Sequence, residues 1–437
     1  MFYVIGTYLD RPGNAIPLPD RPPPRNKAEA RQQDLEDLGF LLDYDRSFSA
    51  TEADAFRNGV AKLRDTAGAM TDAAFELAVS RLVALSGNGH TTVDKKQRAG
   101  TFPRAPLRFA WFADGLYVVR ARGAAEQLIG RRVMEVDGRP VEQALTELTP
   151  YLSGTIERAR IDSVLLLDCP ALLRVIWPDT DGLHLTVGLD DGTAAQLEIL
   201  PPAAEPFELQ PIMTIASGGY GPAWRSVLTD YPLSLREPDR VAVSDPLGTD
   251  GIYVRINRNH DDPYGRLEDQ LAAIAATKPT GGWRRMILDL RFNIGGDERK
   301  IVDFTHDLPD MLGSKGSLWI LTGNATFSAA IITAARARHF LGNRAHIVGE
   351  PVGDHEPFWT DGGPPLILRN SGIAIGHAYF KQDWAEGCHN PVECNPLQFL
   401  YGVAAGDLAP NVKAGWSFAD YAAGRDTVLE KALELSR

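Results

Sequence analysis

Beyond about residue 240 the chain alternates apolar runs with helical spacing: GIYVRINR, a stretch with Leu267, Leu271 and Ile274, then MILDLR, LWILTG, a stretch from Ser328, and AHIVGE. Near-continuous apolar strands joined by helices imply a sheet with a large parallel component, covered by helices. Ligand crevices in such sheets open beyond the carboxyl ends of the strands. The loops after MILDLR and LWILTG are therefore where chemistry is expected. The terminal DTVLEKALEL predicts a closing helix.

Upstream, the texture changes twice. Between about 27 and 88, Ser49 with Glu52 forms a capping box, and Phe56, Val60 and Leu63 repeat at i, i+4 and i+7. Phe75, Val79, Leu82 and Val83 repeat that spacing until Gly87 ends the helix. From Pro103 to about Ala203, short runs such as GLYVVRA and RRVMEVDG, parted by Gly and Asp turns, predict antiparallel strands. The proline-rich IPLPDRPPPR predicts an extended arm, and LPPAAEPFELQP a linker. The expected organisation is an arm over 1–26, a helical domain over 27–100, a β domain over 101–205, a linker over 206–240 and a core over 241–437.

Charge and composition remove several function classes. Against 57 Asp and Glu the 437 residues carry 45 Lys and Arg, a net charge of −12 with no basic stripe, so no nucleic-acid partner is expected. The most apolar stretches, such as Ser163 to Leu167, fall far below the roughly 20 residues of a membrane helix, so no membrane span is expected. The opening MFYVIGTYLDRPG has no basic n-region, and no signal peptide is expected in this chain. Three cysteines are too few for a disulfide scaffold, although Cys388 and Cys394 are close enough to join in a small loop. His389 between them lacks a paired ligand motif, so no metal is expected.

Three segments carry residues suited to chemistry. Ser328, in GNATFSAAIITAARA, stands where a strand ends and a helix begins. A serine there serves as an N-cap, or as a nucleophile whose developing oxyanion meets the next amide, that of Ala329. Asn293, Gly295 and Gly296 follow the strand MILDLR, as a tight turn or as a loop that aims an amide into the crevice. His90, in the glycine-rich LSGNGHTTV, is either a surface histidine or a base reaching across a domain boundary.

Taken in order, DLRFNIGG, ATFSAA, IVGEP and APNV followed by DYAAGRDTVLEKAL resemble the serine peptidase family of C-terminal-processing (tail-specific) proteases and the tricorn core. GNGHTTV is similar to that family's Asp-Gly-His-Thr segment, and GLYVV with LIGRRVMEVDGRPV to its degenerate PDZ-like domain. The resemblance implies an α+β fold: a helical N-terminal domain, a PDZ-like β domain and a ββα-spiral core of the Clp/crotonase type. It implies a serine-type peptidase acting without a cofactor on peptide or protein substrates. By the family's habit it would work in the periplasm or outside the cell.

On this resemblance Ser328 is the nucleophile, and Ala329 with Gly295 or Gly296 supplies the oxyanion-hole amides. The processing branch takes its base from a lysine about 25 residues past the serine, and VGEPVGDHEPFW contains none. The tricorn-like branch uses a histidine, which matches His90, oriented through a distant glutamate, here Glu386. Asn88 and Asn411 stand where the family has Asp. The competing expectation is a non-catalytic binder of a hydrophobic ligand or peptide on the same fold.

Overall fold

The structure, a computed structural model, describes residues 16–201, 224–228 and 230–437. Most of the expected arm and the first half of the expected linker lie outside the described residues.

Helices Lys27–Gly39 (α1), Ala50–Arg64 (α2) and Asp72–Val83 (α3) build the first unit. Ser49 and Glu52 close the capping box that starts α2. Gly87, at φ 62°, takes the left-handed turn that ends the helical run and releases the chain toward His90.

A mostly antiparallel sheet follows, with Leu107–Phe112 (β1), Gly115–Arg122 (β2), Arg132–Val136 (β3), His184–Leu189 (β4) and Ala194–Glu198 (β5) in spatial order. The region is not strands throughout. Val141–Leu148 (α4) and Ile156–Leu167 (α5) are helices, the latter capped by Thr155. They pack Leu145, Leu148, Val164 and Leu166 against Leu116, Val118 and Val187 of the sheet. The far end of the expected linker is also structured, because Trp224–Ser226 pairs antiparallel with β2.

The last region forms a six-stranded sheet from Ala242–Pro246 (β6), Gly251–Ile256 (β7), Arg285–Asp289 (β8), Ser317–Thr322 (β9), Ala345–Gly349 (β10) and Val412–Lys413 (β13). All neighbours are parallel except the β6–β7 pair. Alternate residues face opposite ways, so Ile252, Val254, Met286, Leu288 and Ile320 meet the helices Leu267–Ala276 (α6) and Ala329–Leu341 (α7). Tyr253, Ile287, Trp319 and Leu321 meet the last helix, Thr427–Leu435 (α8), together with Phe112 and Tyr117 of the β domain. Burial on both faces explains why these strands read as apolar runs.

Between β10 and β13 the chain leaves this sheet and returns to the first unit. Phe358–Asp361 (β11) pairs with Ala378–Gln382 (β12), and Leu366, Leu368, Ile373 and Ile375 pack with Leu35, Phe56 and Phe75. Cys388 and Cys394 are joined in a disulfide, and Cys169 is free and buried. Among the described residues no helix is long and apolar enough to cross a membrane, and no group of side chains is arranged to hold a metal ion.

A buried charge cluster locks the end of the chain onto the sheet. Arg291 Nη2 donates to Asp289 and to Asp426, each at 2.6 Å, and Tyr253 donates to Asp289 at 2.8 Å. Asp426 also caps α8 through Leu429 N–H. Burial pushes the Asp426 carboxyl up, but the Arg291 pair outweighs burial and holds it below the usual carboxylate range. Its stabilising contribution is thus complete above that range and is lost as pH falls through it. Replacing Arg291 with Met strands two buried carboxylates, and a loss of about 3–5 kcal/mol in urea unfolding at neutral pH is expected. A loss below about 1 kcal/mol would refute the cluster's structural weight.

Candidate active site

The loops after β8 and β9 are laced together before any side chain of interest appears. Thr326 Oγ1 donates to Leu290 O and accepts from Gly323 N–H, and Phe327 N–H donates to Asn293 O at 3.0 Å. Asn293 is fully buried and donates through Nδ2 to Asn259 Oδ1 at 2.8 Å. Its Oδ1 accepts Gly295 N–H at 2.8 Å.

That lacing sets the conformation of Ser328. Its φ of 55° and ψ of −127° make it one of three non-glycine residues at positive φ among the described residues. Such a conformation costs on the order of 1–3 kcal/mol and persists only where the surroundings impose it. Although Ser328 precedes α7, its hydroxyl makes no capping bond to the helix amides. The N-cap role open to it in the sequence is not taken, and Oγ remains available.

The two glycines separate into different roles. Gly295 gives its N–H to Asn293 and its carbonyl to Asn259 N–H, so its polar groups are spent inside the loop. A Cβ on Gly295 would lie 2.6 Å from Ser328 Cβ and 2.9 Å from Ala329 N, so its lack of a side chain keeps that space open. Gly296 N–H and Ala329 N–H have no acceptor among the described residues.

His90 comes to this place from the helical unit. Its ring stacks between Phe327, 4.4 Å away between centroids, and Phe358, 5.5 Å away. His90 Nδ1 lies 3.2 Å from Asp354 Oδ2, whose side chain is fully buried. Neither ring nitrogen completes a hydrogen bond among the described residues. Gly89 has no room for a side chain, since a Cβ there would lie 2.8 Å from Phe327 and 3.2 Å from Asp354 Oδ2.

The polar loop around His90 accounts for Asn88. Thr91 gives its hydroxyl proton to Asp45 at 2.6 Å, so it accepts from Asn88 Nδ2 at 3.1 Å. Asn88 Oδ1 in turn accepts Trp359 N–H at 3.1 Å. An ionised aspartate could not make the donation to Thr91. Asn411 is likewise a strut, accepting Ile347 N–H at 2.8 Å.

Glu386 does not join this group. It is exposed in a turn where its own N–H donates to Asp383. The carboxylate beside His90 is Asp354, from VGDHEP, 26 residues past Ser328. The segment that lacks the family's lysine holds this acid instead. The signal was its position.

Gly295→Ala must place a methyl group against Ser328 and strain a φ of 96°. The expected outcome is a folded protein whose Ser328 reacts with a fluorophosphonate at least tenfold more slowly than in the unaltered chain. Equal labelling rates would show that Gly295 does not shape this site.

No family model matches the chain, and no curated protein matches it. Solved structures do. Mature CPAF complexed with lactacystin aligns over 94% of this chain and 98% of that one, at 13% identity and a TM-score of 0.54. A Ser-to-Ala variant of CPAF aligns over 94% and 96%, at 12% identity and a TM-score of 0.56. The photosystem II D1 C-terminal processing protease aligns over 88% and 93%, at 15% identity and a TM-score of only 0.39. From the helical unit to the last helix, this chain has the mixed α+β fold of mature CPAF.

Proposed function

We propose that the protein is a serine peptidase in which His90 takes the proton of Ser328 as Oγ attacks a peptide carbonyl. The tetrahedral oxyanion is held by the amides of Ala329 and Gly296. Asp354 faces the imidazolium that forms and keeps Nε2 turned toward the reacting atoms, the part assigned to Glu386 from sequence. The imidazolium then returns the proton to the leaving amine, and water repeats the cycle on the acyl-enzyme. No step calls for a cofactor.

The observation that carries this reading is the backbone of Ser328, held at positive φ with its hydroxyl withheld from capping. A capping serine needs no such strain. The two unpaired amides beside it add the second requirement of acyl transfer, a donor pair aimed at developing charge. The lactacystin complex of CPAF supports a ligand-accepting centre on this fold.

In the same reading the chain divides into the helical unit, a PDZ-like β domain and a ββα-spiral core. The antiparallel β1–β2–β3 arrangement supports the second, and the parallel strands with their returning helices support the third. Peptides or proteins are the substrates.

Two substitutions and one control test the chemistry. Ser328→Ala should abolish peptide hydrolysis and fluorophosphonate labelling while leaving the unfolding midpoint almost unmoved, because the hydroxyl makes no cap and alanine keeps the same strained φ. His90→Ala should lower kcat by several orders of magnitude and Asp354→Asn by roughly 10²–10⁴-fold, as loss of a base and of its orienting acid do. Glu386→Gln should stay within twofold of the unaltered enzyme. Hydrolysis retained in a folded Ser328→Ala protein, or Asp354→Asn matching Glu386→Gln, would overturn these assignments.

A further inference from the structure

One segment singled out in the sequence takes no part in that chemistry: Glu350 of IVGEP. It stands at the end of β10, on a cavity of about 470 Å³ bordered also by the ends of β8 and β9. The loops that border this cavity are those that continue into Asn293 and Ser328.

Two acceptors in this cavity have no donor. The Glu350 carboxylate is half-buried and makes no hydrogen bond or ion pair among the described residues; burial pushes it above the usual carboxylate range, and the charges of Arg160 and Arg291 only partly offset that. Asn324 Oδ1 is buried without a partner. Leaving Asn324 Oδ1 buried and unpaired is costly, and the half-buried Glu350 carboxylate adds charge beside it, so an occupant that brings donors is favoured over an apolar one.

The surrounding charge points the same way. Arg291 at the cavity's edge is shared between Asp289 and Asp426, so its single charge is outnumbered before Glu350 is counted. Two other cations border the cavity. Arg160 is taken up by Glu142 at 3.4 Å and by the Trp111 ring at 5.0 Å, and Lys413 is exposed. Trp111, Phe292 and Trp416 supply aromatic walls, which attract cations as well as apolar stems. Arg160 over Trp111, and Arg291 beside Phe292 and Trp416, already show such contacts.

We propose that this cavity is a substrate subsite for a lysine or arginine side chain, with Glu350 as counter-ion and Asn324 Oδ1 as a second acceptor. The aliphatic stem would lie along the aromatic walls while the charged head reaches the two acceptors. The inference rests on the peptidase reading for its occupant being a peptide.

The test uses the full chain carrying Ser328→Ala, so that peptides bind without being cleaved. Blocked alanine pentapeptides with one lysine moved through all five positions, and their glutamate and leucine counterparts, are titrated by calorimetry and by tryptophan fluorescence. At least one lysine peptide should bind tenfold or more tightly than both counterparts. Adding Glu350→Gln, nearly isosteric, should erase that preference to within about twofold, and adding Asn324→Asp should enlarge it. A folding defect cannot produce both results.

The subsite is overturned if no lysine peptide outbinds its leucine counterpart, or if the preference survives Glu350→Gln. Fluorophosphonate labelling of Ser328 in the unaltered chain reads the peptidase assignment separately. Labelling without a lysine preference overturns the subsite alone. A lysine preference without labelling overturns the peptidase and leaves the cavity a lysine-binding site with no cleavage attached to it.

Discussion

The structure around the site depends on one buried side chain, Asn293. Its carbonyl oxygen takes Gly295 N–H, its amide reaches Asn259, and its backbone carbonyl takes Phe327 N–H. Each bond satisfies a group that would otherwise be buried unpaired, and together they join three loops at the ends of β7, β8 and β9. The positive φ of Ser328 follows from this lacing, since the chain must leave a fixed Phe327 and enter α7 within one residue. Strain at Ser328 is thus balanced by hydrogen bonds made elsewhere, a common arrangement where a side chain must be presented and not buried.

Phe327 is where the separate units meet. The Arg158 guanidinium, from α5, lies 4.3 Å from the Phe327 ring centre, and the His90 ring lies 4.4 Å from it. Two groups that close to one ring must take opposite faces, so the β domain and the helical unit grip the residue next to Ser328 from both sides. Gly89 and Gly154 make the approach possible: a Cβ on Gly154 would lie 3.1 Å from Gly89 Cα. The site is an interface between units and not the property of one of them.

Much of this was legible in the sequence, and the rest was hidden for identifiable reasons. Strands β7 to β10 were readable because burial on both faces leaves a run of apolar residues, and α2 because Ser49 and Glu52 form a local capping box. Helix α5 was obscured because SVLLL is as apolar as a strand and its Thr155 cap was not recognised. Ser328 and His90 were found as residue types in context, but φ at Ser328 is imposed by Asn293 and cannot be read from neighbours in sequence. Nothing in the residues next to Glu386 shows that it is exposed and apart from His90. Asp354 reaches His90 only through the fold, across more than 260 positions of chain.

In the proposed mechanism the identity of Asp354 also accounts for the part taken by the helical unit. A lysine in this segment could itself accept a serine proton once burial lowered its affinity for protons. A buried aspartate offers a weak base for that step, yet a good partner for an imidazole that becomes charged. On that mechanism an acid here requires the base to come from elsewhere. The loop of Asn88, Gly89 and His90, tied to Asp45 and to Trp359, is the element that brings the proposed base, His90, beside Asp354. One change of charge in the core is coupled in this way to a second segment more than 200 residues upstream, and to the polar contacts that hold the two together.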